Sequence, residues 1–180
     1  MLLASYVLES APRPCTVASS IVSSTLLAKL AAGRDAAHQS TLTGFKWLAR
    51  AGSSDAPLVF AYEEALGYSV LPSVRDKDGI SAGLAFANLV ASLHAAGRTV
   101  DDLLAELAAE FEHHATSQVS IRFDGDAAMS QMTAVMADLR GQALESLGRF
   151  DVIEVIDLAG EQSSAASSGE PSLPLSLIHI

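Results

Sequence analysis

The stretch from Tyr62 to Gly79, YEEALGYSVLPSVRDKDG, constrains this chain more than any other. It follows a short apolar run, Pro57 to Ala61, that reads as a buried strand, and it precedes a long apolar helix that begins after Asp78. Two adjacent carboxylates, Glu63 and Glu64, therefore fall where a strand ends, the place where open α/β sheets bind their ligands. Gly67 is expected to turn the backbone after them by adopting a positive φ, which glycine does at little steric cost. Arg75, Asp76, Lys77 and Asp78 close the stretch with charge. Acids at one end and basic groups at the other suit a polyhydroxylated, phosphorylated ligand, because carboxylates accept from sugar hydroxyls while Lys and Arg donate to phosphate oxygens. The alternative is a solvated loop whose charges only keep it wet.

The elements around this stretch alternate between strand and helix. Leu2 to Leu8 reads as a helix stopped by Pro12 and Pro14. Cys15 to Val22 reads as a buried strand, and Ser23 or Ser24 is placed to cap a helix striped by Leu26, Leu27, Leu30 and Ala31. Gly33 stands where a C-terminal glycine stop is expected. His38 to Leu42 is a short strand candidate, and Gly44 feeds a short helix from Phe45 to Ala51. Trp47 in that helix reads as core or domain contact. Asp78 is a good N-cap for a helix from Gly79 to Ala96 whose apolar residues, Ile80, Leu84, Phe86, Leu89, Val90 and Leu93, imply burial on more than one side. Thr99 and Asp102 form a capping box for the next helix. There Val100, Leu103, Leu104, Leu107, Ala108 and Phe111 repeat at helical spacing, so the two helices are expected to pack on the sheet. The fold class that follows is α/β: a mixed, largely parallel sheet with helices on both faces.

A boundary is expected near Glu112 to Ser117. His113 and His114 are neighbours that a helix would point about 100° apart, and no His or Cys at ligand spacing accompanies them, so no metal site is assigned. Beyond the boundary, Gln118 to Phe123 alternates as a strand, Ala127 to Leu139 reads as a helix with a methionine stripe for the core, and Val152 to Leu158 reads as a second strand. From Ala159 the Ser-, Ala- and Gly-rich composition is expected to stay unfolded. Leu175 to Ile180, LSLIHI, resembles a translated sequencing adapter, with an apolar C-terminal strand as the runner-up.

Twenty-one acidic residues against eleven basic ones give a net charge of −10 in 180 residues, which opposes nucleic acid or an anionic membrane as partner. A single cysteine asks for no oxidising compartment, so a cytoplasmic location is the expectation. No apolar run approaches the ~18 residues a membrane span requires.

TGFKW at Thr43 to Trp47, YEEALGY at Tyr62 to Tyr68 and DKDG at Asp76 to Gly79, in this order and spacing, resemble the α-D-phosphohexomutase family, in particular the phosphoglucomutase and phosphomannomutase branch. The resemblance runs from about Leu2 to Leu158 and corresponds to the family's third domain and the start of its fourth. It implies three segments: 1–112, a sugar-binding α/β domain; 118–158, the truncated start of a phosphate-binding domain; and 159–180, a disordered or non-native tail. The arginine and serine-glycine-threonine loop that mark the family's last domain are absent. By the resemblance, Glu63 accepts from sugar hydroxyls, Lys77 is a candidate catalytic residue near the reacting phosphate, and Thr43 and Gly44 contribute to the floor of the site. Ala65 stands where many glucose-specific members have serine, which leaves mannose or pentose phosphates open as substrates.

The activity implied is interconversion of hexose 1-phosphate and hexose 6-phosphate through a phosphoserine and a bisphosphate. Mg²⁺ and the serine would be held by N-terminal domains of the same parent chain. A stand-alone, non-catalytic sugar-phosphate-binding module is the second reading.

Overall fold

The computed structural model describes residues 1–117, 121–142, 145–152, 154–157 and 176–179. The chain divides into two compact units, Met1–Ser117 and Gln118–Ile180.

The first unit runs α1 (Leu2–Ser10), β1 (Thr16–Ser20), α2 (Leu26–Gly33), β2 (Ala37–Thr41), α3 (Phe45–Leu48), β3 (Leu58–Glu63), β4 (Gly67–Ser69), α4 (Gly79–Ala95) and α5 (Val100–Phe111). Its four strands form one sheet in the order β2-β1-β3-β4. β1 pairs in parallel with both β2 and β3, and β4 returns antiparallel to β3. The expected mixed, mostly parallel α/β fold is the one observed.

The strand order explains where a ligand can reach. The chain moves from β1 outward to β2 through α2, then back across β1 to β3 through α3. Right-handed crossovers running in opposite directions put their helices on opposite faces of the sheet. Packing agrees: Val17 joins the cluster that holds Leu27, Leu30 and Ala31, while its neighbour Ala18 joins Phe45 and Leu48. Successive strand residues face opposite ways, so these are the two sides of β1. All of β1 and all of β3 beyond its first residue are buried, as central parallel strands covered on both faces should be. The reversal between β1 and β3 is a topological switch, and the carboxyl ends of the strands at such a switch are where open α/β sheets place ligands.

The helix termini follow local chemistry. Asp78 accepts from the backbone N–H groups of Ile80 and Ser81, and Thr99 with Asp102 forms the expected reciprocal box. Ser24 Oγ accepts from the Leu26 N–H at the start of α2. Gly33 works differently from expectation. The left-handed residue after α2 is Asp35, at φ 52°. Gly33 is small because a Cβ there would stand 2.6 Å from the Phe111 ring.

α4 corrects the expectation of burial on several sides. Only Ala82, Leu89 and Leu93 are buried, whereas Ile80 is 88% exposed and Leu84 64%. Within the first unit α4 meets α1 and β4, which cover a single stripe. α5 buries Leu103, Leu107 and Phe111, and its partner is α2.

The second unit comprises α6 (Ala128–Gly141) and the short strands β5 (Ser146–Leu147), β6 (Phe150–Asp151), β7 (Glu154–Asp157) and β8 (Ser176–His179), with β5 antiparallel to β6 and β7 to β8. Ile121 to Phe123 has no regular structure, so the alternation from Gln118 does not yield a strand there, and residues 118–120 lie outside the described residues. The methionine stripe does not form a core either: α6 buries no residue, and Met129 is 70% exposed. Ser176–His179 pairs antiparallel with β7, the arrangement that the runner-up reading of LSLIHI, an apolar C-terminal strand, implies. Residues 158–175 lie outside the described residues. Among the described residues no single helix is long and apolar enough to cross a membrane.

Candidate sugar-phosphate site

Glu63 is the last residue of β3, and only 7% of it is exposed. It faces Gly67 across the β3–β4 hairpin, and Glu64, Ala65 and Leu66 form the turn between them. A turn of this length ordinarily ends on a residue in the left-handed region. That residue is Leu66, at φ 61°, and not Gly67. Glycine is required at 67 for room, since a Cβ would stand 2.5 Å from Cε2 of Phe45 and 3.4 Å from Oε2 of Glu63.

Phe45 is the residue that sequence reasoning underrated. It opens α3, is 3% exposed, and lies under Gly67. The Lys77 ammonium stands 5.2 Å from the centre of its ring. Next to Phe45, the Gly44 N–H donates to Glu63 Oε1 at 2.5 Å. Gly44 reaches that position at φ 109°, a conformation that side chains disfavour. Three stretches far apart in sequence thus meet on one aromatic ring: Gly44 and Phe45, Glu63 and Gly67, and Lys77. The only signal available in the sequence was the motif order, because nothing local to Phe45 marks its role.

The loop carrying Lys77 is held at both ends. Asp76 Oδ1 accepts from the Lys77 N–H at 2.7 Å, so Asp76 serves its neighbour and does not pair with Arg75. The Asp78 N–H donates to the Tyr68 carbonyl at 2.7 Å, which ties the loop to β4. The Asp78 carboxyl sits below its ordinary pKa, first through the Ser81 side chain and then through the N–H groups it caps.

Thr43 is exposed just before Gly44, and Ala65 is exposed at the hairpin tip, where it offers only a methyl group. Glu64 is exposed, and its Oε1 accepts from the Ser24 N–H at 2.7 Å. Trp47 is half-buried and does not belong to the core. Lys46 lies 5.0 Å and Arg50 5.7 Å from its ring centre. In an acidic chain, Lys46 on α3, Arg50 just after it, and Arg75 and Lys77 in the loop before α4 make a local reversal of charge that favours anions.

Chemically, the arrangement sets a carboxylate acceptor and an ammonium about one aromatic ring. Glu63 Oε1 is engaged by Gly44, and Oε2 takes no hydrogen bond among the described residues. That oxygen is left free to accept from a ligand hydroxyl. No group of three His, Cys, Asp or Glu side chains among the described residues could hold a metal ion. Ser19 Oγ lies 3.0 Å from His38 Nε2, but Ser19 is 2% exposed within the sheet and closed to a substrate. A separate cleft of about 520 Å³, lined by Arg50, Leu71 and Arg75, lies outside the Glu63 arrangement.

Residues 1–111 match the family model described as phosphoglucomutase/phosphomannomutase, alpha/beta/alpha domain III. The chain is 38% identical over 143 residues to a "Probable phosphomannomutase" of Haemophilus influenzae, an alignment that covers 79% of this chain and 28% of that protein. It is 32% identical to a phosphoglucomutase of Staphylococcus haemolyticus over 87% of this chain and 29% of the relative. A solved structure, described as a "putative phosphomannomutase" of Thermus thermophilus, superposes with a TM-score of 0.50 at 21% identity, over 61% of this chain and 25% of the other. The chain thus spans little more than a quarter of the length of the curated relatives it matches.

Proposed function

The chain belongs to the phosphoglucomutase/phosphomannomutase family, whose α/β/α domain III it matches, and from that premise we propose that it is the sugar-reading part of a phosphohexose mutase. The parent enzyme interconverts hexose 1-phosphate and hexose 6-phosphate by way of a phosphoserine and a sugar bisphosphate that turns over before the second transfer. Phosphoryl transfer depends chiefly on positioning and charge neutralisation. The task of this part is therefore to hold the sugar hydroxyls equally well in both orientations.

The observation that carries the reading is Glu63: a largely buried carboxylate, fixed through one oxygen by Gly44 and presenting the other at the carboxyl end of β3. Sugar hydroxyls donate to that oxygen. Lys77, seated on the Phe45 ring, supplies an ammonium for a phosphate, and Thr43 with Gly44 forms the floor beside it. Ala65 contributes no hydroxyl, so one polar demand that would discriminate between sugars is missing, and mannose, glucose and pentose phosphates all remain within reach of the site. The serine nucleophile and its Mg²⁺ are assigned to other domains of the parent chain, and the working compartment to the cytoplasm.

The test is a titration of the isotope-labelled chain with glucose 1-phosphate, mannose 1-phosphate, glucose and inorganic phosphate, followed by amide shifts. Gly44, Glu63 and Lys77 should respond to the sugar phosphates, with affinity in the millimolar range because half a cleft leaves the ligand solvated. Glu63→Ala should weaken binding at least about tenfold, the loss expected from one charge-assisted hydrogen bond. Equal affinity in the Glu63→Ala variant would overturn the reading.

A further inference from the structure

We infer that Glu64 is a positioning residue: by tying the β3–β4 hairpin to the loop between β1 and α2, it fixes where Glu63 presents its unclaimed oxygen. This rests on the reading of Glu63 as the acceptor of sugar hydroxyls.

The hairpin cannot be held by its own sequence. β4 has three residues and lies at the sheet edge, and short two-stranded ribbons are marginal alone. Its turn places Leu66 at φ 61°, a conformation that a leucine disfavours. Besides the packing of Gly67 on Phe45 and the Asp78 N–H bond to the Tyr68 carbonyl, the hairpin is tied by two adjacent carboxylates that reach in different directions. Glu63 accepts from Gly44, in the loop between β2 and α3, and Glu64 accepts from Ser24, in the loop between β1 and α2. Those loops lead to helices on opposite faces of the sheet and flank the switch between β1 and β3. The Glu64 tie acts at the turn itself and so limits how far the tip can rock about the end of β3.

The anchor on the β1 side is firm. Ser24 Oγ already accepts from the Leu26 N–H, and Ser20 and Ser23 share a hydrogen bond of 2.8 Å between their hydroxyls. Beneath the tie, the Tyr62 hydroxyl is buried beside Ser23 and Ser24 without a hydrogen bond of good geometry. Burial first, and then the Glu64 charge, pushes it up to about 12, so Tyr62 stays neutral. Glu64 itself is exposed. Losing its one hydrogen bond should change stability little while loosening the preorganisation of Glu63, on which ligand affinity depends.

The experiment compares the intact chain with its Glu64→Ala and Glu64→Gln variants, reading amide hydrogen exchange and glucose 1-phosphate affinity by NMR. Glu64→Ala should speed exchange at Ser24 and along Gly67 to Ser69 and weaken glucose 1-phosphate about fivefold, the equivalent of one modest hydrogen bond. The melting temperature should hardly move. Glu64→Gln keeps an acceptor oxygen and should restore both readouts. Unchanged exchange along the hairpin in Glu64→Ala, or a glutamine variant that behaves like the alanine one, would overturn the inference. Absence of glucose 1-phosphate binding in the unsubstituted chain would instead sink the functional reading above, and hydrogen exchange alone would then decide the role of Glu64.

Discussion

Gly67 lies so close to Phe45 that a Cβ on the glycine would stand 2.5 Å from the ring's Cε2. Atoms do not approach this closely, so the absence of a side chain at 67 is what lets β4 settle over α3. The same contact places Glu63 beside Gly44 and the Phe45 ring beneath Lys77. The site's two charged groups are therefore coupled through an apolar contact that neither of them makes alone.

Replacing Gly67 by Ala should destabilise the first unit by about 1–3 kcal/mol, since Phe45 is buried and has little room to retreat. Urea denaturation measures it. Shortening the ring in Phe45→Leu should recover part of the loss in the double variant, giving a coupling of at least about 0.5 kcal/mol. Strict additivity would show that the two residues do not clash.

Leu66 is 83% exposed and sits at φ 61°, so its side chain pays for a strained backbone without packing in return. Leu66→Asn should stabilise the chain by about 0.5–1 kcal/mol, because asparagine visits the left-handed region more readily and adds no glycine-like freedom to the unfolded chain. Thermal unfolding of the two proteins side by side tests this, and a lower melting temperature for the asparagine variant would count against the turn as described.

Burial holds His38 below its ordinary pKa of 6.5. The folded protein thus binds fewer protons at this position than the unfolded chain does. Its contribution to stability should be complete above about pH 6.5 and should disappear as the pH falls through the folded-state value. Denaturant midpoints between pH 7.5 and 5 should drop less steeply for His38→Gln. Parallel curves would mean that His38 does not titrate with folding.

Lys77 is exposed and touches the protein through the face of one ring. Lys77→Met should leave the melting temperature within about a degree, as surface substitutions usually do. It should selectively weaken phosphorylated ligands: glucose 1-phosphate should lose about tenfold in affinity, as expected for a charge-assisted contact, while free glucose is unaffected. An equal loss for both would assign Lys77 to the sugar and not to the phosphate.

What the sequence determined by itself was set within about one helical turn of each residue. The cap at Asp78, the box of Thr99 with Asp102, the stop after α1 and the apolar stripe of α5 all depend on neighbours up to four positions away, and each is where the residues imply. The family likeness also lay in the order of short motifs, and with it the candidacy of Glu63, Lys77, Thr43 and Gly44. Tertiary structure alone decided the rest. Gly33 and Gly67 look like turn glycines in sequence, yet each is small because an aromatic ring from a distant element occupies the space a Cβ would need. The left-handed positions went to Asp35, which tolerates that region, and to Leu66, which no propensity would choose. α4 is apolar nearly all round, but its neighbours in the first unit cover only one stripe of it. Hydrophobicity says that a side chain would gain from burial, whereas the partners that bury it are supplied by the path of the chain in three dimensions.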